Sequence, residues 1–313
     1  MSAERMHHIS KAQFVKIRVK FVKSMDDIDS FLDEALANGL LADGHKQGIG
    51  ALQNVYDQAR QLHDYILRKL PDGSEKFVSA LKKSNHDQIL ELLDDPEVYP
   101  MKFKPHGRVV IINNIEFDDG KNYKERIGSE KDVVGIKKLF EEFSFDVLTY
   151  KDRTAKEMEY IIEIEAKKTT ANEDCFVLFL MSHGAIGNII GKDGKELSYS
   201  TINTILKTPE LKDKPKLIYI NTCQVSSDKK NEYFNVADLY VAFATVPEHL
   251  AFRTEESGSV FIESLISVYE KNKEKCDVNS LSPKIHAQIP KESGQISSSY
   301  NTLKKKVILR ATI

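Results

Sequence analysis

The sequence has no tryptophan, only three cysteines in 313 residues, and no apolar run long enough to cross a membrane. The cysteines (Cys175, Cys223 and Cys276) are too few and too scattered for a disulfide framework or a zinc site, which favours a reducing compartment. The N-terminus carries no apolar signal-peptide segment, and no stretch of about 18 apolar residues occurs. The sequence therefore predicts a cytoplasmic protein that needs no membrane, metal or other cofactor.

The sequence also lacks an excess of charge of either sign. It has 45 basic and 47 acidic residues, with a net charge of −2, so no global electrostatic pattern points to nucleic acid as a partner. A hydrophobic content of 41% and a charged content of 29% are typical of a protein that buries a sizeable core. The length allows one large domain or two medium ones.

Helical periodicity dominates the first third of the chain. From Phe14 to about Asp94, apolar residues recur at spacings of three and four, with breaks at Asn38-Gly39 and after Pro71. The pattern predicts a frayed start over residues 1–13, then five or six short helices in an all-α bundle spanning residues 1–95. A linker with a proline at each end follows and places a boundary at residues 96–105.

After the linker, apolar β-branched runs alternate with helical segments. Strands are predicted at residues 108–113, 145–149, 175–181, 217–221, 237–245 and 307–311, with helices at 130–143, 154–166, 197–206 and 258–269. Near-continuous apolar strands alternating with helices are typical of a mostly parallel sheet covered on both faces. The predicted fold class is α/β: a six-stranded, mostly parallel sheet flanked by helices and preceded by the small all-α bundle.

Two reactive side chains follow neighbouring strands of this predicted sheet. His183 comes just after the strand that begins at Cys175, and Cys223 comes just after the strand that begins at Leu217. The carboxyl ends of strands are where an open α/β sheet gathers its site. A cysteine beside an imidazole becomes a nucleophile near neutral pH, and Gly184 leaves room for its N–H to approach a reacting carbonyl. Taken singly, a strand-end histidine or cysteine is more often structural, so both interpretations stay open at this point.

Several segments together resemble a caspase catalytic domain. The carrying residues are Phe176-Val-Leu-Phe-Leu-Met-Ser-His-Gly184 and Lys214-Pro-Lys-Leu-Ile-Tyr-Ile-Asn-Thr-Cys223, with Val109 to Asn114, Arg126-Ile-Gly128, Lys131-Asp-Val133, Ala237-Asp-Leu239, Ala251-Phe-Arg253 and Gly258 to Leu265. In that family a Ser-His-Gly histidine precedes a cysteine in the pattern Gln-Ala-Cys-[Arg/Gln/Gly]-Gly. The helical bundle is similar to a caspase-recruitment domain (CARD) of the death-fold superfamily over Met25 to Leu41 and Phe77 to Leu93.

The resemblance implies a role for each matched residue. Cys223 would attack a peptide carbonyl, His183 would act as acid and base, and the N–H groups of Gly184 and Cys223 would form the oxyanion hole. Arg126 and Arg253 would hold a substrate aspartate, since guanidinium forks pair carboxylates bidentately. The catalytic domain would span 106–313, with a large-subunit part (106–224), a short linker (225–236) and a small-subunit part (237–313).

Four departures from the family pattern bear on activity. Asn221 replaces the glutamine that lines the aspartate pocket, and Gln224-Val225 replaces the usual residues after the cysteine. Phe252 replaces a tryptophan that walls the neighbouring specificity pocket. The linker is short, and Asp228 is its only aspartate, so the protein could act uncut, be cut poorly or not mature.

Three functions therefore compete. The first is an endopeptidase that cleaves after aspartate and is activated by CARD-mediated proximity, as a homodimer or as a heterodimer with another caspase, in apoptotic or immune signalling. Its CARD would bind a CARD-containing adaptor or its own kind. The second is an inactive caspase-like decoy that binds an active caspase or adaptor. The third is a pure adaptor, which leaves the cysteine, histidine and arginines unexplained. In the bundle, the basic run Lys11 to Lys23 precedes the acidic run Asp26 to Glu34; these are either solvated faces or docking patches.

Overall fold

A computed structural model describes residues 4–5, 9–86, 88–93, 97–224, 234–274 and 276–311. The chain divides into two compact units, Arg5–Pro96 and Glu97–Ile313. No helix among the described residues is long and apolar enough to span a membrane.

The first unit is a helical bundle. Its described residues form seven helices: α1 (Lys11–Lys16), α2 (Arg18–Ser24), α3 (Ile28–Ala37), α4 (Asp43–Gly50), α5 (Val55–Lys69), α6 (Ser74–Lys83) and α7 (Gln88–Leu93). The core is rich in aromatic side chains, with Phe14, Phe21, Phe31 and Phe77 fully buried. The Phe14 ring stacks on the buried ring of His63, with centroids 4.2 Å apart.

The count of five or six helices was therefore too low, and the chain is helical earlier than predicted. The first helix begins at Lys11 because Ser10 and Gln13 form a capping box, in which each side chain accepts a backbone N–H of the other. A break at Ile17 separates α1 from α2. The predicted stop at Gly39 is confirmed, since this residue lies just past α3 with φ +72°.

The second unit is built on a six-stranded sheet. Its strands are β1 (Gly107–Asn113), β2 (Asp146–Lys151), β3 (Cys175–Met181), β4 (Lys216–Asn221), β5 (Leu239–Phe243) and β6 (Ser298–Asn301). They lie in the order β2-β1-β3-β4-β5-β6. The first five strands run parallel, and β6 pairs antiparallel with β5. One row of partners crosses the sheet: Leu148, Val110, Leu178, Ile218, Val241 and Tyr300.

Helices cover both faces of this sheet, which explains the continuous apolar strands. All seven residues of β3 are buried, and alternate ones face opposite cores. One core contains side chains of α8 (Ser129–Glu142), and the core on the opposite face those of α9 (Ala155–Lys167) and α10 (Tyr199–Ile205). Helices α11 (Val260–Lys271) and α12 (Val278–Gln288) join α8. The predicted six-stranded, mostly parallel α/β fold is confirmed.

Some predicted elements differ from those observed. The predicted terminal strand at 307–311 is wrong as a member of the main sheet, because Ile308–Leu309 pairs instead with Cys276–Asp277. The sixth strand is Ser298–Asn301, a largely exposed edge strand without an apolar pattern. Gly258–Ser259 pairs with Arg253–Thr254, so the following helix begins at Val260 rather than at Gly258. Glu196–Ser198 is likewise extended, which delays α10 to Tyr199.

The strand order places a switch point between β1 and β3. From β1 the chain turns outward to β2 on one side, whereas β3, β4 and β5 follow on the other. In open α/β sheets, ligands bind in the crevice outside the carboxyl ends of the strands at such a point. The loops that follow β1, β3, β4 and β5 therefore form the part of this unit where a site is expected.

Candidate functional site

A small cleft of about 80 Å³ opens at the carboxyl ends of the parallel strands. Ten residues line it: Arg126, Ser182, His183, Asn221, Thr222, Cys223, Ala251, Phe252, Arg253 and Ser259. Six of the seven residues selected from the sequence are in this set, although they come from the end of β4 and from the separate segments that follow β1, β3, β4 and β5. The seventh residue, Gly184, directly follows His183 and packs against Thr222.

The imidazole of His183 is held through one ring nitrogen. Its Nε2 lies 2.7 Å from the backbone carbonyl of Lys124, which can only accept, so Nε2 carries the hydrogen. The neutral ring then has its lone pair on Nδ1. Burial lowers the pKa of His183, and the nearby positive charges of Arg126 and Arg253 lower it further, against the opposing effect of the Lys124 carbonyl. The ring is therefore neutral at physiological pH and able to take up a proton.

The thiol of Cys223 is half-buried, whereas the other two cysteines are enclosed. Its Sγ accepts the backbone N–H of Ala251 at 3.4 Å. The Cys223 N–H donates to no other residue that the structure describes. Cys175 and Cys276 are fully buried, and burial raises the pKa of each thiol well above the ordinary value. Cys223 is thus the cysteine that a molecule in the cleft can reach.

Glycine is required at position 184 by close approach rather than by backbone conformation. A Cβ built there would lie 2.7 Å from Cβ of Thr222 and 3.0 Å from the carbonyl of Asn188. Real Cβ atoms essentially never come within 3.0 Å of another atom in this way, so a larger residue would push apart the segments that follow β3 and β4. The absence of a side chain brings the segment after His183 directly against the residue before Cys223.

The guanidinium of Arg126 is buried and anchored on one side. Its Nη1 donates to Asn113 Oδ1 at 3.1 Å, to the Asn114 carbonyl at 2.7 Å and to Ser129 Oγ at 3.2 Å. Burial, with the positive charge of Arg253 nearby, lowers the pKa of Arg126 to about 9. A guanidinium stays protonated at neutral pH even so, and its remaining N–H donors are left for the cleft.

Arg253 places a second positive charge on the same cleft. Its Nε donates to the carbonyl of Ile127 at 2.8 Å, which leaves the two terminal nitrogens of the guanidinium group to donate to a ligand in the cleft. Partial burial lowers the pKa of this side chain as well. The preceding residue, Phe252, is 42% exposed and lines the same cleft.

Asn221 lines the cleft, and its side-chain amide is hydrogen-bonded within the protein. Asn221 Nδ2 donates to Ser259 Oγ at 2.8 Å, and the Ser259 hydroxyl in turn donates to Asp132 Oδ2. The other oxygen of Asp132 accepts the Ser259 backbone N–H at 2.8 Å. All three side chains are almost completely buried. Sequence reasoning quoted Asp132 and Ser259 within matched segments but gave them no role in the pocket.

The carboxylate of Asp132 reduces the net charge of the pocket. Burial raises the pKa of Asp132, against the opposing effects of the Ser259 hydrogen bonds and of the nearby positive charges of Arg126 and Arg253, which favour the ionised form. Two guanidinium groups and one buried carboxylate leave a net positive charge of one. One further carboxylate, brought by a ligand, would neutralise the pocket.

Gln224, the residue after the cysteine, is hydrogen-bonded to the loop that follows β5. Its side-chain Nε2 donates to the Thr245 carbonyl, and its backbone exchanges bonds with His249 and Glu248 at 3.1 and 2.6 Å. That loop carries Ala251, which contacts Cys223, so the substitution at position 224 has a structural role. The predictions made for Val225 and Asp228 fall outside the described residues.

The arrangement combines a reachable thiol, a neutral imidazole and a pocket for one carboxylate. Such a thiol and imidazole can perform nucleophilic attack with proton transfer. Two guanidinium groups in a small pocket are able to hold a short anionic side chain. The Lys124 carbonyl, which fixes the imidazole, could not have been identified from the sequence because any residue type supplies one.

Comparisons with known proteins give a consistent result. The family described as "Caspase domain" matches residues 106–308, and the family described as "Caspase recruitment domain" matches residues 14–95. Caspase-7 of Gallus gallus is 29% identical over 211 residues, which cover 60% of this chain and 68% of that protein. Caspase-4 of Mus musculus is 29% identical over 276 residues, covering 75% of this chain and 72% of that protein.

Two further comparisons show the extent of the similarity. Caspase-8 of Mus musculus is 29% identical over 238 residues, covering 62% of this chain, and the chain spans only half of that protein's length. The crystal structure of caspase-1 from Spodoptera frugiperda has the same fold, with a TM-score of 0.62 at 21% identity. The matched region covers 70% of this chain and 95% of the chain in that crystal structure.

Proposed function

This chain belongs to the caspase family and carries a caspase-recruitment domain, and on that premise we propose that it is a cysteine endopeptidase cleaving peptide bonds after aspartate. The observation that carries the proposal is the convergence of Cys223, His183, Arg126 and Arg253 on one cleft. These residues lie up to 127 positions apart in the sequence. In the proposed reaction Cys223 is the nucleophile, His183 transfers protons, and the two arginines bind the substrate carboxylate.

In the proposed reaction, His183 removes the proton of the Cys223 thiol through Nδ1 as the sulfur attacks the substrate carbonyl carbon. The carbonyl oxygen gains negative charge, which the N–H groups of Gly184 and Cys223 stabilise as an oxyanion hole. His183 then gives the proton to the leaving amine nitrogen, so the C–N bond breaks and a thioester remains on Cys223. A water molecule, deprotonated by His183, hydrolyses the thioester and restores the thiol.

Substrate selection follows from the pocket. The aspartate side chain would lie between the guanidinium groups of Arg126 and Arg253, with Asn221 and Ser259 lining the pocket. Charge-assisted hydrogen bonds of this kind contribute about 1.5–3 kcal/mol each. The ring of Phe252 would contact the substrate residue that precedes the aspartate.

The domain organisation is proposed on the same basis. Residues 1–95 form the CARD, 96–105 the linker and 106–313 the catalytic domain, with parts 106–224 and 237–313 joined by the short segment 225–236. The CARD would bind an adaptor or another copy and bring catalytic domains together in the cytoplasm. The exposed edge strand β6 is available for pairing with a second catalytic domain as a homodimer or a heterodimer.

Turnover of short peptides tests the activity. The full chain, concentrated or held as a dimer by a kosmotropic salt, is assayed on fluorogenic tetrapeptides that end in aspartate, beside its Cys223→Ala and Cys175→Ala variants. We expect turnover that is lost in Cys223→Ala and kept in Cys175→Ala, because the Cys175 thiol is buried in β3. Absence of any Cys223-dependent turnover would refute the protease and favour the decoy that binds an active caspase or adaptor.

A further inference from the structure

One side of the His183 imidazole is covered by two aromatic rings that the catalytic roles do not use. The Phe117 ring lies 4.9 Å from the His183 ring between centroids, at an interplanar angle of 54°. The Tyr123 ring lies 5.7 Å away at 38°. The two aromatic rings also contact each other, with centroids 5.7 Å apart, so the three rings form one cluster.

All parts of this cluster except His183 come from one loop. The loop leaves β1 and closes on itself where the Arg126 N–H donates to the Ile115 carbonyl at 3.0 Å. Within it lie Phe117, Tyr123 and Lys124, whose carbonyl accepts the Nε2 hydrogen of His183. The same loop therefore carries the carbonyl, both rings and the pocket residue Arg126.

The loop is held in shape by contacts independent of His183. The Tyr123 N–H donates to the Asp119 carbonyl at 2.9 Å, and the Asp119 side chain accepts two hydrogen bonds from Asn122. Tyr123 also packs against Gly194, where an added Cβ would lie 3.4 Å from the ring. The Asp118 N–H donates to the Lys192 carbonyl at 3.0 Å. The rings are consequently fixed by their own surroundings and can in turn restrain the imidazole.

Resting on the proposed function, we propose that Phe117 and Tyr123 are positioning residues that keep the His183 ring aligned with the Lys124 carbonyl and reserve Nδ1 for proton exchange with Cys223. One hydrogen bond through Nε2 restrains the ring at a single point and leaves it free to swing about that bond. Two fixed rings that pack against the imidazole restrict that rotation. Nδ1 has no hydrogen-bond partner within the part of the chain that the structure describes, so the lone pair stays available.

The same contact has an electrostatic consequence. Aromatic rings exclude water from the imidazole, and burial is the largest cause of the lowered pKa of His183. The charged groups that act on this ring are Arg126 and Arg253, both of which also lower its pKa. A variant that lacks one of the two aromatic rings keeps both arginines. A rise in the pKa of His183 in that variant would therefore report only the greater access of water to the imidazole.

The test replaces each ring in the full chain carrying Cys223→Ala, so that no turnover is needed. The His183 side chain is followed by NMR with labelled histidine and assigned by comparison with His183→Gln. In the parent we expect a single neutral tautomer with hydrogen on Nε2. In Phe117→Leu and Tyr123→Leu we expect a mixture of tautomers and a pKa that rises toward the ordinary value of about 6.5.

Tyr123→Phe is the matched control, because it keeps the ring and removes only the hydroxyl. We expect this variant to match the parent in tautomer and pKa. With Cys223 restored, Phe117→Leu should lower kcat roughly ten- to a hundredfold with little change in KM, as expected when a reacting group is misplaced. An unchanged tautomer and pKa in both leucine variants, with the protein folded, would overturn the positioning role. If the tautomer changes as expected but the parent shows no turnover, only the proposed protease is refuted.

Discussion

The contact between Gly258 and Asp132 gives a quantitative test of the pocket architecture. Gly258 has φ +90°, and a Cβ there would lie 2.4 Å from Oδ1 of Asp132. Gly294 provides a matched control: it also has positive φ (+65°), but its Cβ would meet no atom of the described residues within 4 Å. Alanine in left-handed conformation costs about 1–2 kcal/mol at either position. Only Gly258→Ala adds overpacking, which costs about 1–3 kcal/mol more.

The assay compares the thermal unfolding of the two variants with the parent. For a unit of this size, 1 kcal/mol corresponds to a Tm change of about 2–4 °C. We therefore expect Gly258→Ala to unfold about 2–12 °C below Gly294→Ala. It should also bind an aspartate-ending peptide more weakly, because displacing Asp132 disturbs Ser259 and Asn221. Equal Tm losses in the two variants, or unchanged peptide affinity in Gly258→Ala, would refute this account of the pocket.

Three further predictions concern the same unit. Gly184→Ala should lower kcat at least about a hundredfold, because a Cβ 2.7 Å from Thr222 would displace the proposed oxyanion donor; a near-normal kcat would contradict that proposed role. Thr154→Ala should cost about 0.5–2 kcal/mol by removing the capping box with Glu157, and urea unfolding that matches the parent would argue against it. In the pH profile of kcat/KM, the midpoint of the rise on the acidic side should lie below pH 6.5. Burial lowers the pKa of His183, and the base acts in its neutral form, which is present above that pKa. A midpoint above pH 6.5 would exclude this assignment.

The sequence was most informative where a side chain has to be buried. The seven apolar residues of β3 are all buried, and this run is a strand as predicted. The edge strand Ser298–Asn301 could not be predicted, since it is held by backbone pairing with β5 and its side chains are largely exposed. The apolar pair Ile308–Leu309, further along the chain, was wrongly predicted to belong to the main sheet. It is extended and apolar like a strand of that sheet, but it pairs with Cys276–Asp277 instead.

The candidate site was predictable to the extent that topology places residues together. His183 and Cys223 follow adjacent parallel strands, so the carboxyl edge of the sheet brings them to one cleft. Asp132 acts on the pocket through its hydrogen bonds to Ser259 and through its charge, and Lys124 acts through its carbonyl, so neither residue type signals its role. Contacts of this kind depend on loop conformation, which periodicity does not encode.

The proposed function requires that Cys223 be a nucleophile beside a pocket for one carboxylate. Covalent labelling tests it most directly: a peptide chloromethyl ketone ending in aspartate is reacted with the full chain, and the modified residue is located by peptide mass mapping. The sulfur displaces chloride and forms a thioether. We expect labelling of Cys223 alone, at least about tenfold faster than with the matched asparagine-ending reagent. Equal rates for the two reagents, or labelling of Cys175 or Cys276, would contradict it.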